Sequence, residues 1–345
     1  MHTERATSGL TDPRFGGAPA PQAAPGPGAL DELVETMARV RGAVESVVTG
    51  RPGLADITLA VLLAEGHLLV EDVPGVGKTT LAKAVARSID CHVGRIQFTP
   101  DLLPSDLTGV NIFRTGSHEF EFRPGPVFSN IVIGDEINRA SPKTQSALLE
   151  CMEEGQTTVD GTTHQLPRPF LVVATQNPVE MEGTYPLPEA QRDRFMARLS
   201  MGYPAAEAEA EMLERHAASE PLDSLEPVTD AFAVRSLIAT VRGVYASDAV
   251  KEYVVALARA TRSSADLRLG ASPRAALHLL RACKAHAAMS GRDHVLPDDV
   301  QALALPVLAH RLLPSADAQL SRRSPEDVVT TLLAHVPVPR SRATA

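Results

Sequence analysis

Between the apolar run Leu68-Leu69-Val70 and a stretch of good helix formers, Leu81 to Ala84, the chain reads Val73-Pro74-Gly75-Val76-Gly77-Lys78-Thr79-Thr80. A turn of this kind forces a strand to deliver directly into a helix N-terminus. Gly75 and Gly77 let backbone N–H groups point inward, Lys78 brings a positive charge to the helix start, and Thr79 offers a hydroxyl to a metal ion. A nucleoside triphosphate with Mg2+ needs that donor set, so ATP and Mg2+ are the expected cofactors. The candidate phosphate loop comprises Pro74, Gly75, Val76, Gly77, Lys78, Thr79 and Thr80. The pattern GxxxxGK[ST] is met except at its first position, where Asp72 replaces glycine.

The surrounding text alternates short apolar runs with helical segments from His67 to about Tyr203. Leu68–Val70 precedes a helix from Lys78, Ile131–Ile133 one from Ser141, and Phe170–Val173 a loop and short helix near Glu189. Such alternation indicates an α/β fold, a parallel sheet with helices on both faces. Two helices precede it, one from Leu30 with Leu33, Met37, Val40 and Val44 at helical spacing, the other over Leu54–Ala64. From Thr11 to Ala29, 14 of 19 residues are Pro, Gly or Ala, so residues 1–29 read as a disordered leader. After Pro204 no strand is expected. Helices are expected over Ala205–His216, Ala231–Val244, Ala249–Arg262, Pro273–Met289 and Asp298–Leu312, with Ser272 capping the fourth. The organisation is thus a core over 30–216, a linker over 217–227 and a smaller all-α domain over 228–345.

A second chemical signal closes the strand Ile131-Val132-Ile133-Gly134 with Asp135 and Glu136. Both carboxylates emerge at the C-terminal edge of a parallel sheet, where ligands bind. Asp135 suits Mg2+ and Glu136 suits polarisation of a water for attack on the γ-phosphate.

The run Asp135-Glu136-Ile137-Asn138-Arg139-Ala140-Ser141-Pro142-Lys143-Thr144-Gln145, with Ala174-Thr175-Gln176-Asn177-Pro178, Gly183-Thr184-Tyr185-Pro186-Leu187-Pro188-Glu189 and Asp193-Arg194-Phe195, resembles the MoxR family of AAA+ ATPases of the helix-2-insert clade. The resemblance covers about Leu30 to the final helices. It implies a P-loop AAA+ core with a helical lid, a self-assembled ring that is usually hexameric, and a chaperone-like role in maturing or activating partner proteins, which often carry von Willebrand factor A domains. It further implies roles for single residues. Asn177 matches sensor 1, Arg194 the arginine finger inserted into a neighbour's site, and Arg274 sensor 2, acting on either its own or the neighbouring ATP. Arg192 stands where the family usually has an apolar residue and competes for the finger role. Taken alone, Arg194 also reads as a surface arginine pairing with Asp193. Val48 and Gly50 lie where family members line the adenine pocket, although a glycine-stopped helix end needs no ligand to explain it.

Two segments read as inserted hairpins. Val110–Phe113 and Glu119–Phe122 alternate around Thr115-Gly116-Ser117, while Gln156–Val159 and Thr162–Leu166 flank Asp160-Gly161, a strong two-residue hairpin turn. In the family such hairpins face the pore or partners. Other classes fit less well. The net charge of −9 and 4% aromatics argue against nucleic acid as a partner, which disfavours a DNA-directed AAA+ machine. No apolar run approaches a membrane span. Three cysteines without a CxxC pair exclude a disulfide or zinc framework and fit the cytoplasm. The remaining rival is a nucleotide-dependent binding switch that hydrolyses slowly.

Overall fold

The computed structural model describes residues 26–339, apart from 52, 74, 117, 178–182, 204, 205, 208 and 211–220. Pro74, the leader up to residue 25, most of the helix expected over Ala205–His216 and the start of the expected linker therefore lie outside the described residues. In chain order, α1 (Pro27–Val47) and α2 (Leu54–Leu63) lead into β1 (Leu68–Glu71), α3 (Lys78–Ser88), β2 (Val93–Gln97) and α4 (Pro104–Thr108). The hairpin β3 (Gly109–Arg114) and β4 (Glu119–Pro124) comes next, then β5 (Ile131–Asp135) and α5 (Pro142–Glu154). A second hairpin, β6 (Gln156–Val159) and β7 (Thr162–Gln165), precedes β8 (Leu171–Gln176), α6 (Glu189–Arg192) and β9 (Ala197–Leu199). Beyond these come α7 (Ala231–Gly243), α8 (Asp248–Ser263), β10 (Leu267–Leu269), α9 (Pro273–Met289), α10 (Pro297–Leu308), β11 (Leu313–Pro314), α11 (Ala316–Leu320) and α12 (Pro325–His335).

The five sheet strands run parallel in the order β2-β5-β8-β1-β9. Side chains alternate across a strand, so Ile131 and Ile133 join one layer with α1, α2 and α3. Val132 faces the other layer, formed with Leu148, Leu149 and Met152 of α5. Helices thus cover both faces, as expected for a parallel sheet. Register sets Glu71 opposite Gln176 and Gly134 opposite Ala174, so the ends of β1, β5 and β8 meet at one edge.

Three expectations are corrected. Helix α1 starts at Pro27 rather than Leu30, because proline at the first helical turn starts a helix: its fixed φ is already helical and its missing N–H would have had no partner there. Strands do not stop after Pro204, since β10 and β11 pair antiparallel as a two-stranded ribbon within the helical region. The last of the expected helices also ends early, at Leu308, and continues as a 3-10 turn over Ala309–Arg311.

Candidate nucleotide site

The loop after β1 is shaped by backbone as predicted. Gly75 (φ 82°) and Gly77 (φ 92°) both adopt the left-handed region open to glycine, and Gly77 stands at the N-terminus of α3 without a capping side chain. The first turn of α3 carries no acid, so its N–H groups and dipole face the loop unopposed by a fixed negative charge. Val76, between the two glycines, and Thr80, two residues past Lys78, are half-buried.

Asp72 explains its own departure from the glycine pattern. Its carboxylate accepts from the Val73 N–H (2.8 Å), the Ser200 hydroxyl (3.0 Å) and the Gly202 N–H, tying the loop to the chain leaving β9. Burial pushes the Asp72 carboxyl up, but those hydrogen bonds outweigh it and hold the group below the usual carboxylate range. Arg51, one residue past Gly50, donates to the Gly202 carbonyl, which brings the Val48–Gly50 turn to the same side of the loop.

Lys78 Nζ donates to the carbonyls of Asp72 (2.6 Å) and Gln176 (3.2 Å), across the ends of β1 and β8. Thr79 Oγ1 donates to Asp135 Oδ1 at 2.8 Å, and the other carboxylate oxygen of Asp135 pairs with Arg95 Nε at 2.9 Å. Glu136 takes a left-handed backbone (φ 59°), and its N–H donates to Thr175 Oγ1 at 3.0 Å. Its Oε2 accepts from Gln97 Nε2 (3.1 Å) and Arg139 (3.0 Å), leaving Oε1 without a partner among the described residues. Asn177 is buried, and its carbonyl accepts from Asn138 Nδ2 at 3.3 Å. Lys78, Thr79, Asp135, Glu136 and Asn177 therefore occupy one sheet edge. The cradle fits a metal-bound polyphosphate: an uncapped helix start, an ammonium, and a hydroxyl already aligned on a carboxylate. Sequence reasoning missed Arg95 and Gln97, both on β2, and Arg139; only the sheet order places β2 beside β5.

Arg194 and Arg274 lie elsewhere. Arg194 does not pair with Asp193; its Nη2 pairs with Glu153 Oε2 at 3.1 Å, and Arg274 Nη2 pairs with the Oε1 of the same carboxylate. These residues share a cleft of about 210 Å3 with Gly66 and His67, at the N-terminal end of β1. Asp72 is five residues further along, which at about 3.3 Å per strand residue is roughly 16 Å away. Asp193 is held instead by Arg311 Nε (3.0 Å) and by the Ser272 hydroxyl (2.9 Å). Arg311 also donates to the carbonyls of Asp193 and Phe195, so the helical region clamps the Asp193–Phe195 turn. Burial lowers Arg311 to about 10 despite Asp193, and burial with Arg311 alongside lowers His278 to about 3.

Residues 67–197 match the ATPase family associated with various cellular activities, and residues 259–332 match an AAA lid domain. Among relatives, the chain is 50% identical over 300 residues to the protein YeaC of Bacillus subtilis, covering 87% of this chain and 94% of that one. It is 41% identical over 337 residues to the chaperone MoxR1 of Mycobacterium tuberculosis, covering 94% and 88%, and 32% identical over 323 residues to the protein MoxR of Paracoccus denitrificans, covering 86% and 94%. A crystal structure of a candidate ATPase from Cytophaga hutchinsonii superposes with a TM-score of 0.84 at 38% identity, covering 91% of this chain and 98% of that one.

Proposed function

This chain belongs to the MoxR family of AAA+ ATPases, and from that premise we propose that it binds Mg·ATP at the Pro74–Thr80 loop and hydrolyses it to remodel a protein client. The observation carrying this reading is the convergence of Lys78, Thr79, Asp135, Glu136 and Asn177 on one sheet edge. Lys78 leaves its carbonyl partners for the β- and γ-phosphates. Thr79 and Asp135 would hold Mg2+, which would offset the charge of the phosphates, and Arg95 balances the aspartate. Glu136 orients the attacking water through Oε1 while Gln97 and Arg139 fix the other oxygen, and Asn177 steadies the water against the γ-phosphate. Val48 and Gly50 border the base.

Arg194 supplies the finger in trans, and Arg274 works beside it on the same neighbouring nucleotide. Their shared position at the edge of the sheet away from Lys78 supports this, since neither is placed to reach its own loop. Arg192, which ends the short helix α6 two residues before Arg194, is the lesser candidate. A closed ring follows, of six subunits by family habit, and the client is a protein, with a von Willebrand factor A domain as the first class to try. No described helix is long and apolar enough to cross a membrane, and the cytoplasm is the proposed location. Residues 30–216, 217–227 and 228–345 serve as core, linker and lid.

One experiment tests hydrolysis and trans action together. Glu136→Gln should bind Mg·ATP yet turn over at least about a hundredfold more slowly, the size of a general-base contribution. Arg194→Ala should also bind and fail to hydrolyse. Mixed, the two should recover turnover, because one brings the finger and the other an intact site. Two inactive proteins that stay inactive on mixing, while each still assembles, would refute the trans arrangement. Full client processing by Glu136→Gln would replace the motor with an occupancy switch.

A further inference from the structure

Glu153 joins two arginines that come from different parts of the chain, one beside α6 and one in the first turn of α9. Its two carboxylate oxygens take one each, Arg194 on Oε2 and Arg274 on Oε1. Among the described residues neither guanidinium has another side-chain partner. Each uses only Nη2, so most of its five N–H donors remain available. Without an anion between them, two guanidinium groups this close repel and their long side chains diverge.

The place of Glu153 in the fold is also unusual. It lies in the last turn of α5, ahead of the left-handed Gly155 (φ 61°), where the helix dipole favours cations; that turn carries no basic residue. The preceding residues Cys151 and Met152 are buried in the sheet layer, which fixes where that turn stands. Glu154 in the same turn breaks the same rule, and what distinguishes Glu153 is that both its oxygens are taken by arginines from outside the helix.

We propose that Glu153 is a positioning residue that gathers Arg194 and Arg274 into a single phosphate-directed pair for the neighbouring subunit's ATP. This rests on the trans reading of those arginines given above. Glu153 touches no nucleotide itself. It holds one nitrogen of each guanidinium while the free N–H groups meet the γ-phosphate, so its loss lowers the hydrolytic rate without weakening ATP binding, which the neighbour's own loop provides.

The test exploits which subunit carries the change. Mixed rings of Glu136→Gln protein, the arginine donor, and Arg194→Ala protein, the acceptor with the working site, are assayed with Glu153→Gln added to one partner at a time. Turnover should fall about tenfold when Glu153→Gln sits in the donor and less than twofold when it sits in the acceptor, with KM for ATP unchanged. Glu153→Asp in the donor should restore part of the rate. A structural role would depress both arrangements alike, so equal falls overturn the inference, as does no fall in either. Unimpaired hydrolysis by Arg194→Ala alone would overturn the trans reading and this inference with it, whereas a silent Glu153→Gln beside a dead Arg194→Ala overturns only the role of Glu153.

Discussion

His67 precedes β1 with both ring nitrogens engaged. Nδ1 accepts from the Val172 N–H at 3.0 Å, so Nε2 must carry the proton that it shares with the Met152 carbonyl at 2.9 Å. A second proton would set N–H against N–H. Burial, only partly opposed by the Met152 carbonyl, accordingly pulls this histidine from 6.5 down to about 4. Between those values the unfolded chain binds a proton that the folded chain refuses, so stability is complete above about pH 6.5 and is lost as pH falls toward 4. Acidifying from pH 7 to 4.5 should cost the native state roughly 2 to 3 kcal/mol more than it costs His67→Gln, whose amide can replace both hydrogen bonds. Equal losses in urea melts of the two proteins at both pH values would refute that coupling. The phosphate loop and the Asp135-Glu136 pair were legible because their chemistry sits in consecutive residues. His67, Gln97, Arg95 and Glu153 were not, because each acquires its role from a partner between 39 and 121 positions away in the chain.

Elements were legible in proportion to how much of them is buried. Strands β5 and β8 are covered on both faces and read as continuous apolar runs, whereas β2 buries only Gly94 and Ile96 between exposed neighbours, and β9 is three residues long. Neither edge strand was therefore readable. Both hairpins were, through turn chemistry: Asp160 (φ 48°) and Gly161 (φ 81°) form the tight connection that their sequence indicates. The two hairpins also touch. Phe122 of β4 stacks on His164 of β7 with ring centroids 3.9 Å apart, and Asn111 of β3 donates to Asp160 at 2.8 Å. Further out on the first hairpin, Phe113 and Phe120 are 47% and 73% exposed and pack on each other at 5.3 Å. Exposed apolar side chains add little to stability, so Phe113→Ser with Phe120→Ser should shift the unfolding free energy by no more than about 1 kcal/mol and leave basal ATP turnover intact. Capture of a client by the Glu136→Gln trap should fall severalfold in pull-downs with the same background. Undiminished capture would make this hairpin ordinary surface and move client binding elsewhere.

At the scale of the molecule, the core and the helical region are not separate bodies joined by a strap. Helix α1 carries Leu33, Met37, Val40 and Val44 into one apolar cluster that runs from α3 and the sheet strands to α9 and α10. The clamp of Arg311 and Ser272 on Asp193 adds a polar tie between the same two regions, close to the Arg194–Glu153–Arg274 group. Chains with two independent cores melt in separable steps, whereas a shared cluster couples the steps, because neither part can open without exposing the other's apolar surface. The described fold should accordingly unfold as one cooperative unit even though its two regions differ in architecture. Val40→Ala, at a fully buried position of α1, should cost about 1 to 3 kcal/mol through lost transfer energy and the cavity left behind. In calorimetry that loss should move a single endotherm to lower temperature and keep the calorimetric and van't Hoff enthalpies equal. Two resolved transitions in the wild type, or a variant that shifts one transition and spares another, would mean that α1 stabilises only one region, and nucleotide-driven movement of the helical region would then not be coupled to the finger turn through this core.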